Sequence, residues 1–127
     1  MKIVSMIARY FLGLMFVVFG LNLFLNFLNG ALPPGPPGQF LGLLVSTHFV
    51  YAIGAVMLTS GILFLINRYV ALGLTLLGPV LFNILTFHAL MNPSGIGMGA
   101  FATLLWALVA WQHRIVFERL FAARLEE

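Results

Sequence analysis

The sequence of 127 residues contains no cysteine and no aspartate, and only 7% of its side chains are charged. Without cysteine the chain can form no disulfide and can do no thiol redox chemistry. Its three acidic residues are glutamates at positions 118, 126 and 127. The apolar part of the chain therefore has no carboxylate, which argues against hydrolysis or proton pumping by buried acids.

Hydrophobic residues dominate instead, at 62% of the chain with a mean hydropathy of +1.11. A soluble domain carries about 25% charged residues, and this chain has 7%. The composition therefore predicts a membrane protein, and its long apolar runs predict that the fold is all-α. A transmembrane helix needs about 20 apolar residues, and turn-forming segments at 31–38, 67–68 and 92–95 divide the chain into four such helices. We place them at about 9–28, 49–66, 69–90 and 97–111.

The basic residues predict the orientation of this four-helix bundle. With four crossings, all six fall on one side: Lys2, Arg9, Arg68, Arg114, Arg119 and Arg124. Basic residues favour the cytoplasmic side, so we expect both termini in the cytoplasm and a multi-pass protein of the inner (cytoplasmic) membrane. The first helix exceeds the apolar core of a cleaved signal peptide, about 7–15 residues, so we expect it to be retained.

Three segments of this single domain, residues 1–127, lie outside the predicted crossings. Segment 31–38 is rich in proline, which lacks an amide donor, and predicts an outer loop. Segment 39–46 is apolar but too short to cross, and predicts an interfacial helix that breaks at 46–48. The tail, 112–127, mixes apolar and charged residues. Its residues 114–124 predict an amphipathic helix along the cytoplasmic interface, with partner docking as the alternative.

Small residues predict where the helices approach closely, since lipid provides no hydrophobic drive for association. Two glycine pairs are each seven residues apart, namely Gly13 with Gly20 and Gly54 with Gly61. Residues 95, 99, 103 and 107 form a stripe of small side chains in the fourth helix. Pro79 predicts a kink in the third helix. We interpret Trp106 as an anchor at the membrane interface.

Polar side chains gather in the outer half of the predicted bundle. They are Asn22, Asn26, Asn83, His88 and His48. Amides in lipid are expensive and usually face the bundle interior or water. One interpretation is hydrogen bonding between helices, worth about 1 kcal/mol each. The other is a pocket in which His88 binds a quinone carbonyl, ligates haem iron together with His48, or relays a proton.

Three segments of the sequence resemble DoxX-type membrane proteins, in the right order and over nearly the whole chain. They are residues 9–22, residues 61–70, and residues 78–88 (GPVLFNILTFH) with the turn at 92–95. DoxX-type proteins are four-helix bundles, named after a subunit of a thiosulfate:quinone oxidoreductase. Other members are linked to oxidative-stress and thiol-handling membrane complexes. Many relatives carry a glutamate one helical turn before Gly61, where this chain has Met57, so activities needing that carboxylate are not expected here.

The resemblance implies an accessory or structural subunit of a quinone-linked redox complex, with no catalytic activity of its own. In this hypothesis Asn22, Asn26, Asn83, His88 and His48 contact a partner subunit or a cofactor, for which quinone is favoured over haem. No catalytic residue and no metal ligand is predicted. The alternatives are a quinone- or haem-binding oxidoreductase centred on His88, and a small-solute carrier. Larger membrane-protein partners are expected, and the charge pattern gives no reason to invoke nucleic acid.

Overall fold

The computed structural model describes residues 1–28 and 30–124, and all regular structure within them is helical. The elements are α1 (Lys2–Leu25), α2 (Pro36–Ser46), α3 (Phe49–Ile66), α4 (Val70–Leu90), a 3-10 turn (Pro93–Gly95), α5 (Ile96–Gln112) and α6 (Arg114–Leu120). The helices α1, α3 and α4, and α5 together with the 3-10 turn, are long and apolar enough to cross a membrane. The prediction of four helices that are long and apolar enough to cross a membrane is confirmed.

Three of the four crossing helices keep their predicted bounds to within a residue, but α1 does not. It begins at Lys2 rather than Arg9, because the apolar residues before Arg9 are compatible with a helix and a single charge does not interrupt it. It ends at Leu25 rather than residue 28, because Asn26 has a left-handed backbone with φ 50° and ψ 43°. Asparagine tolerates that conformation and often ends a helix with it.

The proline-rich segment is a loop only as far as Gly35. Gly35 has φ 77° and ψ −153°, a combination almost confined to glycine. The next residues, Pro36 and Pro37, form the first turn of α2. The predicted loop over 31–38 is therefore wrong at its C-terminal end, because proline in a first helical turn sacrifices no hydrogen bond. Gly38 then packs on the Pro33 carbonyl, 1.9 Å from where a Cβ would lie.

The other two segments outside the crossings are helical, as expected. The break predicted at 46–48 is confirmed, since α2 ends at Ser46 and His48 has a left-handed backbone with φ 63°. In the tail, α6 covers only Arg114–Leu120. The helix predicted over 114–124 is thus shorter in the structure, and the last three residues of the tail, 125–127, lie outside the described residues.

The four crossing helices form a ring in which neighbours in the chain are also neighbours in space. Helix α1 packs on α3, α3 on α4 and α4 on α5, and α5 closes the ring onto α1. Short connections favour the antiparallel packing of α3 on α4 and of α4 on α5, whereas α1 and α3 are joined through α2. Side chains at the centre of the ring are apolar and include Leu12, Phe16, Phe64, Leu74, Leu77 and Val109.

The closest approach of two helices is between α1 and α3, at the glycines that the sequence singles out. Gly13 faces Gly61, and Gly20 faces Gly54. A Cβ on any of the four would lie only 2.9–3.2 Å from the carbonyl oxygen of the facing glycine. Backbone therefore packs directly on backbone, and the predicted role of these glycines in helix packing is confirmed.

Helix α5 packs on α4 through larger side chains than the sequence suggests. Gly99 is buried but Ala107 is exposed, so the stripe of small residues does not form the whole contact face. The interpretation of Trp106 as an interface anchor is wrong. Its indole N–H donates to the Leu74 carbonyl at 2.9 Å, and its ring lies 3.6 Å from where a Cβ on Gly78 would be. Trp106 therefore joins α4 and α5 through its indole N–H.

Candidate functional site

The two ends of the bundle differ in charge. One end, which we call the basic end, brings together the start of α1, the α3–α4 turn and the end of α5. This is shown by a single cavity lined by Lys2, Arg9, Asn67, Gln112 and His113, among others. The five residues predicted as a site all lie towards the opposite end, where α1 and α4 finish and α3 begins.

Asn22 and Asn26 finish α1 and do not point into the bundle. The Asn22 side-chain oxygen accepts the backbone N–H of Leu28 at 2.8 Å, and the Asn22 carbonyl accepts the backbone N–H of Asn26 at 2.7 Å. Asn26 is exposed. Both residues therefore close the helix end, and neither amide bridges two helices as the sequence suggests.

His48 belongs to an aromatic stack at the start of α3. Its exposed ring lies parallel to that of Tyr51 with centroids 5.4 Å apart. Tyr51 in turn stacks on Phe24 of α1 at 5.2 Å. The stack ties the α2–α3 turn to the last turn of α1, which gives His48 a structural partner.

Asn83 is exposed on the outer surface of α4, and not in the bundle interior where the sequence predicts it. The buried face of α4 is set by Leu74, Leu77 and Leu81. At 3.6 residues per turn, a residue two positions beyond Leu81 points to the other side of the helix. One N–H of the Asn83 amide donates to the Pro79 carbonyl at 2.7 Å, and α4 continues through Pro79 without a break.

His88 is the predicted residue most enclosed by its surroundings. Its Nδ1 lies 3.0 Å from the carbonyl oxygen of Asn92, and its ring meets that of Phe87 edge to face at 5.1 Å. The ring also lies directly on Gly95, where a Cβ would be 2.3 Å from Cε1. An Nδ1–H that donates to Asn92 leaves Nε2 as an acceptor. His88 thus closes the turn between α4 and α5.

The structure does not bring the five predicted residues into one pocket. A groove of about 170 Å³ lies between α4 and α5. It is lined by Gly78, Leu81, Phe82, Leu85, Thr103 and Trp106. Neither this groove nor the cavity at the basic end includes any of the five. Among residues 1–28 and 30–124 there is also no group of three His, Cys, Asp or Glu that could hold a metal.

Arg9 is a residue that the sequence argument places wrongly. It lies inside α1 with 7% of its surface exposed, and Nη1 of its guanidinium donates to the Phe64 carbonyl in the last turn of α3. The guanidinium carbon also lies 4.5 Å from the centre of the Tyr10 ring. A cation at a helix C-terminus interacts favourably with the helix dipole. The bond joins residues 55 positions apart, so no local pattern in the sequence predicts it.

Met57, which stands where the sequence resemblance leads one to look for a glutamate, is part of the apolar core. Met57 is 7% exposed and packs within the central cluster. One turn further along α3, Ser60 is fully buried, and its hydroxyl has no hydrogen-bond partner among the residues that the structure describes. A single buried hydroxyl beside a thioether offers no acid or base, so this part of the interior has no evident chemistry.

Comparisons of the chain with protein-family models, curated proteins and solved structures find no match.

Proposed function

We propose that this chain is an accessory subunit of a quinone-linked redox complex in the cytoplasmic membrane, and that it joins its partner through the outer face of α4. The observation that carries the proposal is the exposed Asn83 amide. It lies 13 residues after Val70, about 20 Å along the helix at 1.5 Å per residue. An amide facing lipid there is costly, whereas a neighbouring helix could bond it.

The residues around Asn83 support a helix partner. The exposed face of α4 includes Thr75, Pro79, Asn83 and Thr86 at helical spacing, with Phe82 beside them 71% exposed. Thr75 and Thr86 donate their hydroxyls to carbonyls of their own helix, so they present small surfaces. Small and polar residues are enriched where transmembrane helices meet.

The occupant we propose is a transmembrane helix of a larger partner protein, with a hydrogen-bonding side chain at the depth of Asn83. Within the described residues the Asn83 side chain makes one hydrogen bond, to Pro79. The side-chain oxygen and the second N–H of Asn83 are therefore available to bond a side chain of the partner helix. The redox and quinone link rests on the resemblance to DoxX-type proteins, which also favours a separate partner over a second copy of this chain.

The basic end supports the orientation of the subunit. The start of α1, the α3–α4 turn and the end of α5 meet there. Lys2, Arg9 and Arg68 belong to the first two of these segments, and the other three basic residues follow the end of α5. By the positive-inside rule we place this end in the cytoplasm. Reporter fusions test this: activity of a periplasmic reporter joined after residue 124 would overturn the orientation.

Asn83→Leu is the substitution that tests the partner face. Tagged protein is purified in mild detergent, and the amount of each co-purifying subunit is measured. We expect Asn83→Leu to release the partner, because leucine cannot replace the amide hydrogen bond. Thr59→Val is the control, since Thr59 is exposed on α3 and bonds the Ala55 carbonyl of its own helix at 2.7 Å.

A photo-crosslinking residue at Phe82 identifies the occupant directly. A crosslink to a larger membrane subunit that disappears with Asn83→Leu supports the proposal. Crosslinks found only between copies of this chain would overturn the proposed separate partner and indicate a homodimer. Equal recovery of partners with Asn83→Leu and Thr59→Val would refute the role of the α4 face.

A further inference from the structure

The cavity at the basic end carries a second inference that is independent of the α4 face. Its volume is about 370 Å³, which falls in the range of about 300–1,000 Å³ typical of ligand pockets. Its lining is Lys2, Ile3, Ser5, Met6, Arg9, Asn67, Gln112 and His113. These residues come from α1, the α3–α4 turn and the end of α5, so the closed ring of helices assembles the cavity.

The described lining of the cavity is basic and includes no carboxylate. Lys2 and Arg9 supply ammonium and guanidinium donors, and Asn67 and Gln112 add amide donors. Among the residues that the structure describes, the sole carboxylate side chain is that of Glu118 on α6, and it does not line the cavity. An anion is the ligand that this set of donors favours.

Arg9 is the residue of this site whose side chain the fold holds in a fixed position. Its guanidinium is held by the Phe64 carbonyl and the Tyr10 ring, and the residue is only 7% exposed. A guanidinium has five N–H donors in a fixed planar fork, and the bond to Phe64 uses Nη1. Because burying a charge is costly unless it is compensated, an anion in the cavity would stabilise the fold as well as bind.

The apolar part of the lining indicates what kind of anion fits. Ile3 and Met6 line the cavity and are 69% and 45% exposed, so the cavity joins the apolar surface of α1. A ligand with a phosphate and an attached hydrocarbon would contact both parts. We propose that this cavity binds the phosphate of an anionic phospholipid headgroup, held by Arg9 and Lys2 with help from Asn67 and Gln112.

Thermal unfolding of the purified protein in detergent tests the site. Phosphatidylglycerol, phosphatidylcholine and inorganic phosphate are titrated separately, and the shift in unfolding temperature gives a half-saturating concentration for each. We expect phosphatidylglycerol to stabilise the protein at lower concentrations than phosphatidylcholine. If inorganic phosphate alone produces the same shift, the lipid assignment is overturned in favour of a free anion.

Lys2→Gln is the preferred variant, because Lys2 is exposed and no hydrogen bond of the fold uses its side chain among those described. One basic residue near an anionic surface contributes ~1 kcal/mol, which corresponds to a factor of about five. We therefore expect the half-saturating concentration of phosphatidylglycerol to rise about fivefold. Arg119→Gln removes the same charge away from the cavity and should leave it unchanged. Equal responses of the two variants, or no preference for phosphatidylglycerol, would refute the site.

Discussion

Replacing Gly61 with alanine should push α1 away from α3, because the interface has no room for a methyl group. The new Cβ would lie 2.8 Å from the backbone nitrogen of Val17 and 2.9 Å from the carbonyl oxygen of Gly13, where ordinary contact begins at 3.4 Å. Both atoms belong to helical backbone, so neither can rotate away. The two helices must therefore separate locally by about 0.6 Å, and a gap of that size weakens many dispersion contacts at once.

The expected cost of Gly61→Ala is about 1–3 kcal/mol, the usual range for overpacking a well-packed site. Alanine also stabilises a helix by up to about 1 kcal/mol relative to glycine. The control must therefore also replace a helical glycine with alanine, so that this gain cancels. Gly97→Ala is that control, since Gly97 lies in α5 and has no atom within 4 Å of an added Cβ. The difference between the two variants then isolates the clash.

The assay is reversible unfolding of the purified protein in mixed micelles, followed by circular dichroism. The free energy of unfolding should fall for Gly61→Ala relative to Gly97→Ala. Adding Gly20→Ala should cost less in the Gly61→Ala background than alone, because the first substitution has already opened the interface. Equal stability of Gly61→Ala and Gly97→Ala would refute the backbone contact between α1 and α3.

Two further stability predictions concern single side chains that join helices. Trp106→Phe keeps an aromatic ring but loses the donor to Leu74, so the free energy of unfolding should fall by about 0.5–1.5 kcal/mol; no change would mean that the bond contributes nothing in the membrane. Arg9→Met should cost about 1.5–3 kcal/mol, since a charged hydrogen bond to Phe64 is lost, and Arg9→Lys should cost less. A methionine variant as stable as the parent would contradict this role of Arg9.

The crossing helices could be predicted because hydropathy and turn residues report directly on them. Asn67 and the turn at 92–95 stop helices whatever the rest of the chain does, and the ends of α3 and α4 follow from them. The start of α1 could not be found in this way. A charge is compatible with a helix, and the bond between Arg9 and Phe64 joins residues 55 positions apart, which no local pattern encodes.

The direction of side chains around a helix was partly available in the sequence. His88 is seven residues after Leu81, close to two full turns, so it shares the buried side of α4 and packs on Gly95. Asn83 is on the opposite side for the same reason. By contrast, the bond between Asn22 and the Leu28 amide depends on where α1 ends, which the sequence placed three residues too late.

The asparagines described in the structure separate into two groups, and this separation strengthens the case for a partner at α4. Asn22, Asn26, Asn67 and Asn92 lie at or next to helix ends, where left-handed backbone or local hydrogen bonds account for them. Asn83 lies within α4 on its exposed side. Asparagine is a weak helix former, so its own propensity does not explain its place inside α4. The side chain of Asn83 bonds the Pro79 carbonyl of the same helix, and this bond connects α4 to no other helix. A neighbouring transmembrane helix would account for an amide at that position.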